Sequence, residues 1–474
     1  MDREQEGPAD RGIHGEAFPA PPQPENGRVG RNAAFSFLGF GIPAVATLLF
    51  TPFLLHRMGA SNYGLWVLST AFLGLGGVFD LGLSTTTARY IARHHARGDT
   101  LALSATVTAG VTLYAVIGLV LTVVAFMLAP QVAALLDGAG APTDQLTRIL
   151  RIAALGFVPM MIKNAAISVP IGLERFSRSM IISMLQTLLT FLLASIATGF
   201  GDSVGLVVAS SIVALTITAV IGSVIAVGLL RPLGTTITWS RRQARRMLPF
   251  LAFTAAASLG VIAFSSIDRL VVGAVLGTSS VAFYAIAVGL AANLLTVADV
   301  ISRPLMPSAS AWASGGGLQQ ARTHLRSWTL GILALEACAA LVALGGSDWF
   351  LTTWLGAGAA AQVVTPFRIL VVVYATIGVF APAYHVANGT GYPQLPAAGS
   401  LVGGTLTIAL ILALAPTWGL TGAALANAGY LVNVIILLGM LRILSRAVPA
   451  HRAPAPASVG LEPRALDAPP PRRA

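Results

Sequence analysis

Long apolar runs recur along almost the whole chain. Each is about 20 residues long, which is the length a helix needs to cross the hydrocarbon core of a bilayer. The runs are continuously apolar and do not alternate with polar residues, which indicates helices and not barrel strands. The pattern predicts an all-α integral membrane protein with twelve transmembrane helices, near residues 33–55, 64–87, 104–128, 150–172, 180–199, 204–229, 249–268, 280–302, 327–346, 366–388, 396–415 and 420–441.

Arginines between these runs predict the orientation. Most lie in connectors that follow even-numbered spans, for example Arg93, Arg97, Arg175 and Arg178, and few follow odd-numbered spans. Since basic loops stay in the cytoplasm, both termini are predicted to be cytoplasmic. The chain then divides into a disordered N-terminus, a first six-helix bundle, a basic cytoplasmic connector, a second six-helix bundle and a disordered Pro/Ala/Arg tail, at residues 1–31, 32–230, 231–248, 249–443 and 444–474.

Composition supports a lipid environment. Only 10% of the 474 residues are charged and 55% are hydrophobic, with a mean hydropathy of +0.78; soluble domains carry about 25% charged residues. The net charge of +11 does not indicate nucleic-acid binding, because the basic residues are spread over short loops. The sequence has one cysteine, Cys338, which lies in an apolar run. With a single cysteine, no intramolecular disulfide can form.

A short connector occurs twice. "MGASNYGLW" (58–66) and "LGTSSVAFY" (276–284) align at an offset of 218, and weaker matches follow near the ends of spans 4 and 10 and the starts of spans 6 and 12. Six spans per half insert the same way up, so we predict two bundles related by a pseudo-two-fold axis along the membrane normal, a parallel repeat. Such halves can rock around a central cavity. The alternative is a duplication with structural consequences only.

Lys163 is the most informative intramembrane charge. It is the only lysine beside 28 arginines, and it lies near the middle of span 4, followed by Asn164. A charge at this depth costs about 2.5–3.5 kcal/mol, so it is expected to face an interior cavity. There it could hold an anionic group such as phosphate. A structural pair with an acidic residue, such as Glu336 or Asp80, is the alternative.

Several other polar residues lie within predicted spans. Their candidate roles are coupling or lining of the cavity, and they are Asp80, Asp268, Asp299, Glu336, His385 and Asn388. Asp299 and Arg303 are four positions apart on one helix, which also permits an internal ion pair. Glu336, near the middle of span 9, is a candidate proton carrier. For His385, the alternative to a transport role is an interior residue whose hydrogen bonds are satisfied within the protein.

Other motifs give little support for catalysis. The sequence lacks HExxH, a P-loop and a Cys/His metal cluster, so no catalytic residue, metal site or cofactor is predicted. Arg241, Arg242, Arg245 and Arg246 follow Trp239 in the connector between the halves, which is typical of an interfacial segment on anionic lipid.

The sequence also resembles a known family. "TPFLLHRMGASNYGLWVL" (51–68), "FDLGLSTTTARYIAR" (79–93), "SSIDRLVVGAVLGTSSVAFYAIA" (265–287) and "GLTGAALANAG" (419–429) are similar to segments of polysaccharide-export flippases of the O-antigen type. These belong to the multidrug/oligosaccharidyl-lipid/polysaccharide (MOP) superfamily. The resemblance implies movement of undecaprenyl-pyrophosphate-linked sugars across the bacterial inner membrane, and a cationic cavity. Lys163 would serve that cavity, with Arg89 and Arg303 at the cytoplasmic mouth.

Three classes of function remain after these observations. The favoured hypothesis is a flippase for a lipid-linked oligosaccharide, with membrane lipid, a polysaccharide polymerase and glycosyltransferases as partners. A cation-coupled multidrug exporter of the same superfamily is the alternative, and a lipid II flippase is disfavoured because that branch usually has fourteen spans. A membrane enzyme is disfavoured because the outer loops are short.

Overall fold

The computed structural model describes residues 26–136, 140–201, 203–243, 245, 247, 266–314 and 318–446, and these residues form helices with no strand among them. The predicted tail beyond residue 446 and most of the N-terminal segment lie outside this range. The described chain begins with α1 at Asn26 and ends with the last helix at Arg446.

The first half contains seven helices. Their bounds are α1 Asn26–Gly74, α2 Gly77–Ala96, α3 Thr100–Leu135, α4 Thr143–Ala154, α5 Phe157–Gly172, α6 Phe176–Ala197 and α7 Val204–Leu230, followed by a short 3₁₀ turn at Arg231–Leu233.

The second half contains eight described helices. Their bounds are α8 Asp268–Leu276, α9 Thr278–Ser302, α10 Leu305–Ser314, α11 Leu318–Leu355, α12 Ala357–Gly378, α13 Ala381–Gly389, α14 Gln394–Ala426 and, after a 3₁₀ segment at Asn427–Asn433, α15 Val434–Arg446.

Nine of the helical stretches in the described ranges are long and apolar enough to cross a membrane. The count differs from twelve for physical reasons. Predicted spans 11 and 12 fall in one continuous stretch, Gln394–Leu444, and predicted span 2 is divided between the end of α1 and the less apolar α2. Most of predicted span 7 lies outside the described residues. The all-helical membrane class is confirmed, and the twelve-span, two-bundle arrangement stays a prediction.

Two long helices bend at glycines in the predicted connectors, and two predicted spans are each divided into two helices. α1 is kinked at Gly59 (φ 74°, ψ 160°) and α14 at Gly419 (φ 57°, ψ −138°), backbone conformations that glycine adopts without a Cβ clash. Predicted span 4 is divided into α4 and α5 at 155–156, and predicted span 10 into α12 and α13 at 379–380. Predicted spans 4 and 10 are therefore each two consecutive helices with a break between them.

One apolar core joins the two halves. It includes Leu68 and Trp66 of α1 together with Tyr284 of α9 and Leu370 of α12. By contrast, α3 has only 11% of its most apolar window buried, and large side chains such as Leu119 and Met127 are exposed along it. In a membrane such a face meets lipid, so exposure here does not indicate a poorly packed helix.

The connector after α7 is bound to the first half. The backbone N–H of Thr236 donates to Ser104 Oγ (3.1 Å), and that of Thr238 donates to Thr108 Oγ1 (3.3 Å). Gln243 Nε2 donates to Thr106 Oγ1 (3.0 Å). These contacts hold the connector along the start of α3.

Candidate functional site

The two copies of the repeated connector contact each other. Ser61 and Thr278 are joined by a hydrogen bond between their hydroxyls (2.8 Å). Next to it, the backbones approach so closely that a Cβ on Gly64 would lie 1.8 Å from the carbonyl oxygen of Thr278. The two halves therefore meet at this end of the molecule through the repeated sequence.

The repeated glycines share one backbone conformation. Gly277 has φ 88° and ψ 168°, close to the φ 74° and ψ 160° of Gly59. Gly356, between α11 and α12, has the same conformation (φ 83°, ψ 157°) and faces His56. The sequence pointed to the first two glycines but gave no signal for the third.

In the first half, Asp80 forms a polar cluster between three helices. Tyr114 of α3 is fully buried, and its hydroxyl donates to Asp80 Oδ1 (3.1 Å). The Asp80 carboxylate also accepts a hydrogen bond from Asn164 and interacts with the ammonium of Lys163. Asp80 is the first acidic residue of α2, just after the break at 75–76, which directs this turn towards α5. The structure therefore brings Lys163 together with Asp80, one of the two structural pairs that the sequence allowed.

In the second half, Asp299 links α9 to α13. Its Oδ2 accepts from Nε (3.2 Å) and Nη2 (3.0 Å) of Arg303, and its Oδ1 is 3.0 Å from Nε2 of the buried His385. The carboxylate lies at a cavity of about 310 Å³ whose other polar lining includes Tyr384 and Tyr430. The ion pair suggested by the i, i+4 spacing is present, whereas the contact with His385 is a tertiary feature.

A second buried network surrounds Asp268. Asp268 is 3% exposed and its Oδ2 accepts from the hydroxyl of Tyr284 (3.1 Å), which in turn accepts from Asn427 Nδ2 (2.9 Å). Arg269 interacts electrostatically with Tyr374 of its own half and with Tyr63 of the first half. Tyr284 belongs to the repeated connector, so this network is built directly on the contact between the halves.

Glu336 has a different environment. It is 2% exposed, and its Oε2 has no hydrogen-bond partner within the described residues. A Cβ on Gly378 would lie 3.1 Å from Glu336 Cδ and 3.2 Å from the Cβ of Ala298. The carboxyl group is therefore enclosed between α9, α11 and α12.

Two candidates remain. Arg89 is exposed on α2, and Asn388 Nδ2 donates to the carbonyl of Tyr384 (2.9 Å), a residue that lines the cavity beside Asp299. The sequence analysis did not predict that Tyr114, Tyr284 and Asn427 are partners of these carboxylates. Tyr284 ends the repeated connector and Asn427 lies in the segment 419–429, but neither pattern indicates a hydrogen-bond partner until the helix order is known.

Together, the long apolar helices and the polar clusters buried between them define a multi-pass helical membrane protein. A profile described as "Polysaccharide biosynthesis protein" matches residues 55–341, more than half of the chain. The chain belongs to this polysaccharide biosynthesis family.

Three other proteins are similar to this chain, one in part of its sequence and two in fold. A putative O-antigen transporter of Shigella flexneri is 28% identical over 78 residues, which cover 16% of this chain and only 19% of that relative. An inward-facing multidrug resistance MATE family transporter of the MOP superfamily has the same fold, with a TM-score of 0.72, 14% identity, and coverage of 87% of this chain and 98% of the other. The lipid II flippase MurJ in its inward closed conformation matches with a TM-score of 0.70 and 12% identity over 87% of both chains.

The expected polysaccharide family is therefore confirmed, and the chain shares the fold of transporters of the MOP superfamily.

Proposed function

We propose that this protein is a flippase that moves an undecaprenyl-pyrophosphate-linked oligosaccharide across the bacterial inner membrane, for O-antigen, capsule or exopolysaccharide synthesis. The observation that carries the proposal is the contact of the two halves at one end, through Ser61 and Thr278, in a member of a polysaccharide biosynthesis family. With both termini cytoplasmic, the closed end faces the periplasm. The head group then enters from the cytoplasm and leaves when this contact opens, while the lipid tail stays in the bilayer.

Lys163 is the proposed partner of the pyrophosphate. A phosphate brought into a low-dielectric site needs a paired cation. Lys163 interacts with Asp80, so an incoming phosphate would replace a carboxylate as the partner of the same ammonium. Asn164 supplies a neighbouring hydrogen-bonding group. Arg89 and Arg303, both exposed, would attract the head group at the cytoplasmic mouth.

Coupling to an ion gradient would use a buried carboxyl group. Glu336 is the first candidate because its Oε2 lacks a hydrogen-bond partner in the described structure. Asp80, Asp268 and Asp299 each have hydrogen-bond partners, and their titration would have to break those contacts. His385 and Asn388 complete the set of polar groups proposed for the cavity.

Complementation in the protein's own host tests this function. Deletion of the gene should abolish the surface polysaccharide and cause lipid-linked oligosaccharide to accumulate in the inner leaflet. The wild-type gene and Lys163→Arg should restore export, whereas Lys163→Ala should not. Arg178→Gln, an exposed charge change outside the proposed site, is the control. Normal polysaccharide export by the deletion strain would refute the proposal, and normal export by Lys163→Ala would remove Lys163 from the mechanism.

A cation-coupled exporter of amphipathic drugs is the second candidate. The observation that favours it is the cavity beside Asp299, whose aromatic lining includes Tyr384, Tyr430 and Phe380. A carboxylate with aromatic side chains can bind an organic cation. Expression in a host that lacks its own drug pumps distinguishes the exporter from the flippase. The exporter would be favoured if the wild-type protein raised resistance to lipophilic cations and Asp299→Asn abolished that rise.

A further inference from the structure

A long groove runs along the outside of the first half, between α5 and α7. It has a volume of about 630 Å³, and its walls are almost entirely apolar. The lining includes Pro159 and Ile162 on α5, and Val220, Val224 and Val227 on α7. The groove has one cationic end, at Arg231.

The groove faces away from the contact between the halves. On α7, Ser211 accepts a hydrogen bond from Trp66 Nε1 (3.0 Å), and Trp66 belongs to the connector that meets the second half. Val220 lies nine positions after Ser211, which places it about 180° away around the helix at about 100° per residue. Val220 is 58% exposed and Val224 is 66% exposed. Among the described residues, the groove is therefore open on the face of α7 opposite its contact with Trp66.

The dimensions of the groove suit a lipid chain. Its lining on α7 extends from Thr216 to Arg231, and fifteen residues of helix rise about 22 Å. Half of the hydrocarbon core of a bilayer is about 15 Å thick. An acyl chain of one leaflet fits within this length, with its ester and phosphate groups level with the end of α7.

The cationic end lies at the membrane surface. Arg231 is exposed at the end of α7, and the connector that follows carries Ile237, which is 95% exposed, and Trp239, which is 55% exposed. Tryptophan is enriched where the hydrocarbon meets the headgroups. The connector is hydrogen-bonded to α3 through Thr236 and Thr238, so its backbone is fixed on either side of Ile237.

We propose that this groove is a binding site for a phospholipid with a net negative headgroup, with one chain along the valines of α7 and the phosphate against the guanidinium of Arg231. The lipid is a bound component of the first half. It is not the transported molecule, so the site is independent of the proposed function.

Two substitutions test the site from opposite ends. Gly228 lines the groove, and a Cβ there has no atom within 4 Å, so Gly228→Leu fills the groove without a clash. Arg231→Gln removes the charge. The matched control for Gly228→Leu is Gly331→Leu, at a helical glycine of α11 where an added Cβ also has no atom within 4 Å. The control for Arg231→Gln is Arg178→Gln.

The measurement is lipid retention by the purified protein. The protein is placed in nanodiscs of phosphatidylcholine with increasing phosphatidylglycerol, and retained lipids are counted by native mass spectrometry. We expect one phosphatidylglycerol to be retained in preference to phosphatidylcholine. Gly228→Leu and Arg231→Gln should each weaken that retention about tenfold, and both controls should behave as wild type.

Three results would overturn the site. The first is equal retention of the two phospholipids by the wild-type protein. The second is full retention by both groove variants. The third is displacement of phosphatidylglycerol by undecaprenyl phosphate in a way that Gly228→Leu prevents, because the occupant would then be the lipid carrier of the transported sugar. Arg231→Lys, which keeps the charge, guards against a folding defect in Arg231→Gln.

Discussion

Ser61 Oγ and Thr278 Oγ1 lie 2.8 Å apart, although 217 positions separate the two residues along the chain. Each belongs to one copy of the repeated connector, and the glycines Gly59 and Gly277 give both copies the same backbone turn. The repeat thus supplies both sides of one contact. In the proposed flippase, alternating access would require this contact to break in each cycle, which makes it the most direct place to test the proposal.

A cysteine pair at these positions should lock the protein. In a Cys338→Ser background, Ser61→Cys with Thr278→Cys places two sulfurs where the hydroxyls now touch, within the reach of a disulfide. We expect rapid oxidation to an intramolecular disulfide and loss of polysaccharide export, reversed by reductant. Each single cysteine variant is the control. Export that continues with the disulfide fully formed would show that this end need not open.

Side chains at Gly64 should force the same contact apart. A Cβ there would lie 1.8 Å from the carbonyl oxygen of Thr278, so even Gly64→Ala requires the helices to separate. Overpacking of this kind costs about 1–3 kcal/mol. We expect slower disulfide formation by the Ser61→Cys/Thr278→Cys pair when Gly64→Ala is added. Gly289→Ala on α9, where a Cβ meets nothing within 4 Å, should leave the rate unchanged.

Lys163 and Asp80 should behave as a coupled pair. The two side chains interact electrostatically, so removal of one charge leaves the other uncompensated in a buried site; for a direct buried ion pair such a loss costs about 3–5 kcal/mol. Asp80→Asn and Lys163→Met should each lower the thermal stability of the purified protein, and the double variant should recover most of the loss. Additive losses would mean that the two groups do not stabilise each other.

Export by the double variant separates structure from transport. If the pair only stabilises the first half, the recovered double variant should restore the surface polysaccharide. We expect it to remain inactive, because the phosphate would then lack its cation. Lys163→Arg with wild-type Asp80 is the control for a charge that is kept. Full export by the stable double variant would assign Lys163 a structural role alone.

The apolar pattern was enough to predict the helical membrane class, because a span needs only about 20 apolar residues and each helix satisfies its own backbone. The joints were harder to predict. Gly59 and Gly419 both lie in predicted connectors, but only Gly59 was singled out, because its sequence recurs at Gly277. Positive φ depends on the direction of the next helix, which a local pattern does not contain.

Side-chain pairs likewise divide into those that local spacing predicts and those that depend on which helices are neighbours. Asp299 and Arg303 were predictable because an i, i+4 spacing fixes their proximity on one helix. The sequence left Lys163 with two acidic partners, Asp80 and Glu336, because the choice depends on which helices are neighbours. Only the packing of α2 and α3 against α5 makes Asp80 the partner, and it leaves Glu336 in the other half of the molecule.

The hydrogen-bonded chain from Asn427 through Tyr284 to Asp268 should stabilise the second half. In Tyr284→Phe the Asp268 Oδ2 loses its donor in a buried site, and an unmade buried hydrogen bond costs about 1–3 kcal/mol. We expect a lower melting temperature in detergent. Tyr392→Phe removes a hydroxyl from a tyrosine that is 38% exposed and should have no effect. An equal loss in both variants would indicate that the network contributes nothing specific.

The close packing of Gly378 on Glu336 gives a prediction with a built-in rescue. In Gly378→Val the new Cβ would lie 3.1 Å from the Glu336 carboxyl carbon and 3.2 Å from Ala298 Cβ, and the two further methyl groups need space that the three helices do not leave. We expect a lower melting temperature and reduced insertion. Shortening the opposing side chain with Glu336→Ala makes that space, so the double variant should be more stable than Gly378→Val alone. The comparison isolates packing, because Glu336→Gln keeps the volume and should fail to rescue Gly378→Val. Rescue by Glu336→Gln as well would mean that the charge of the carboxyl group, and not its size, is what the valine disturbs.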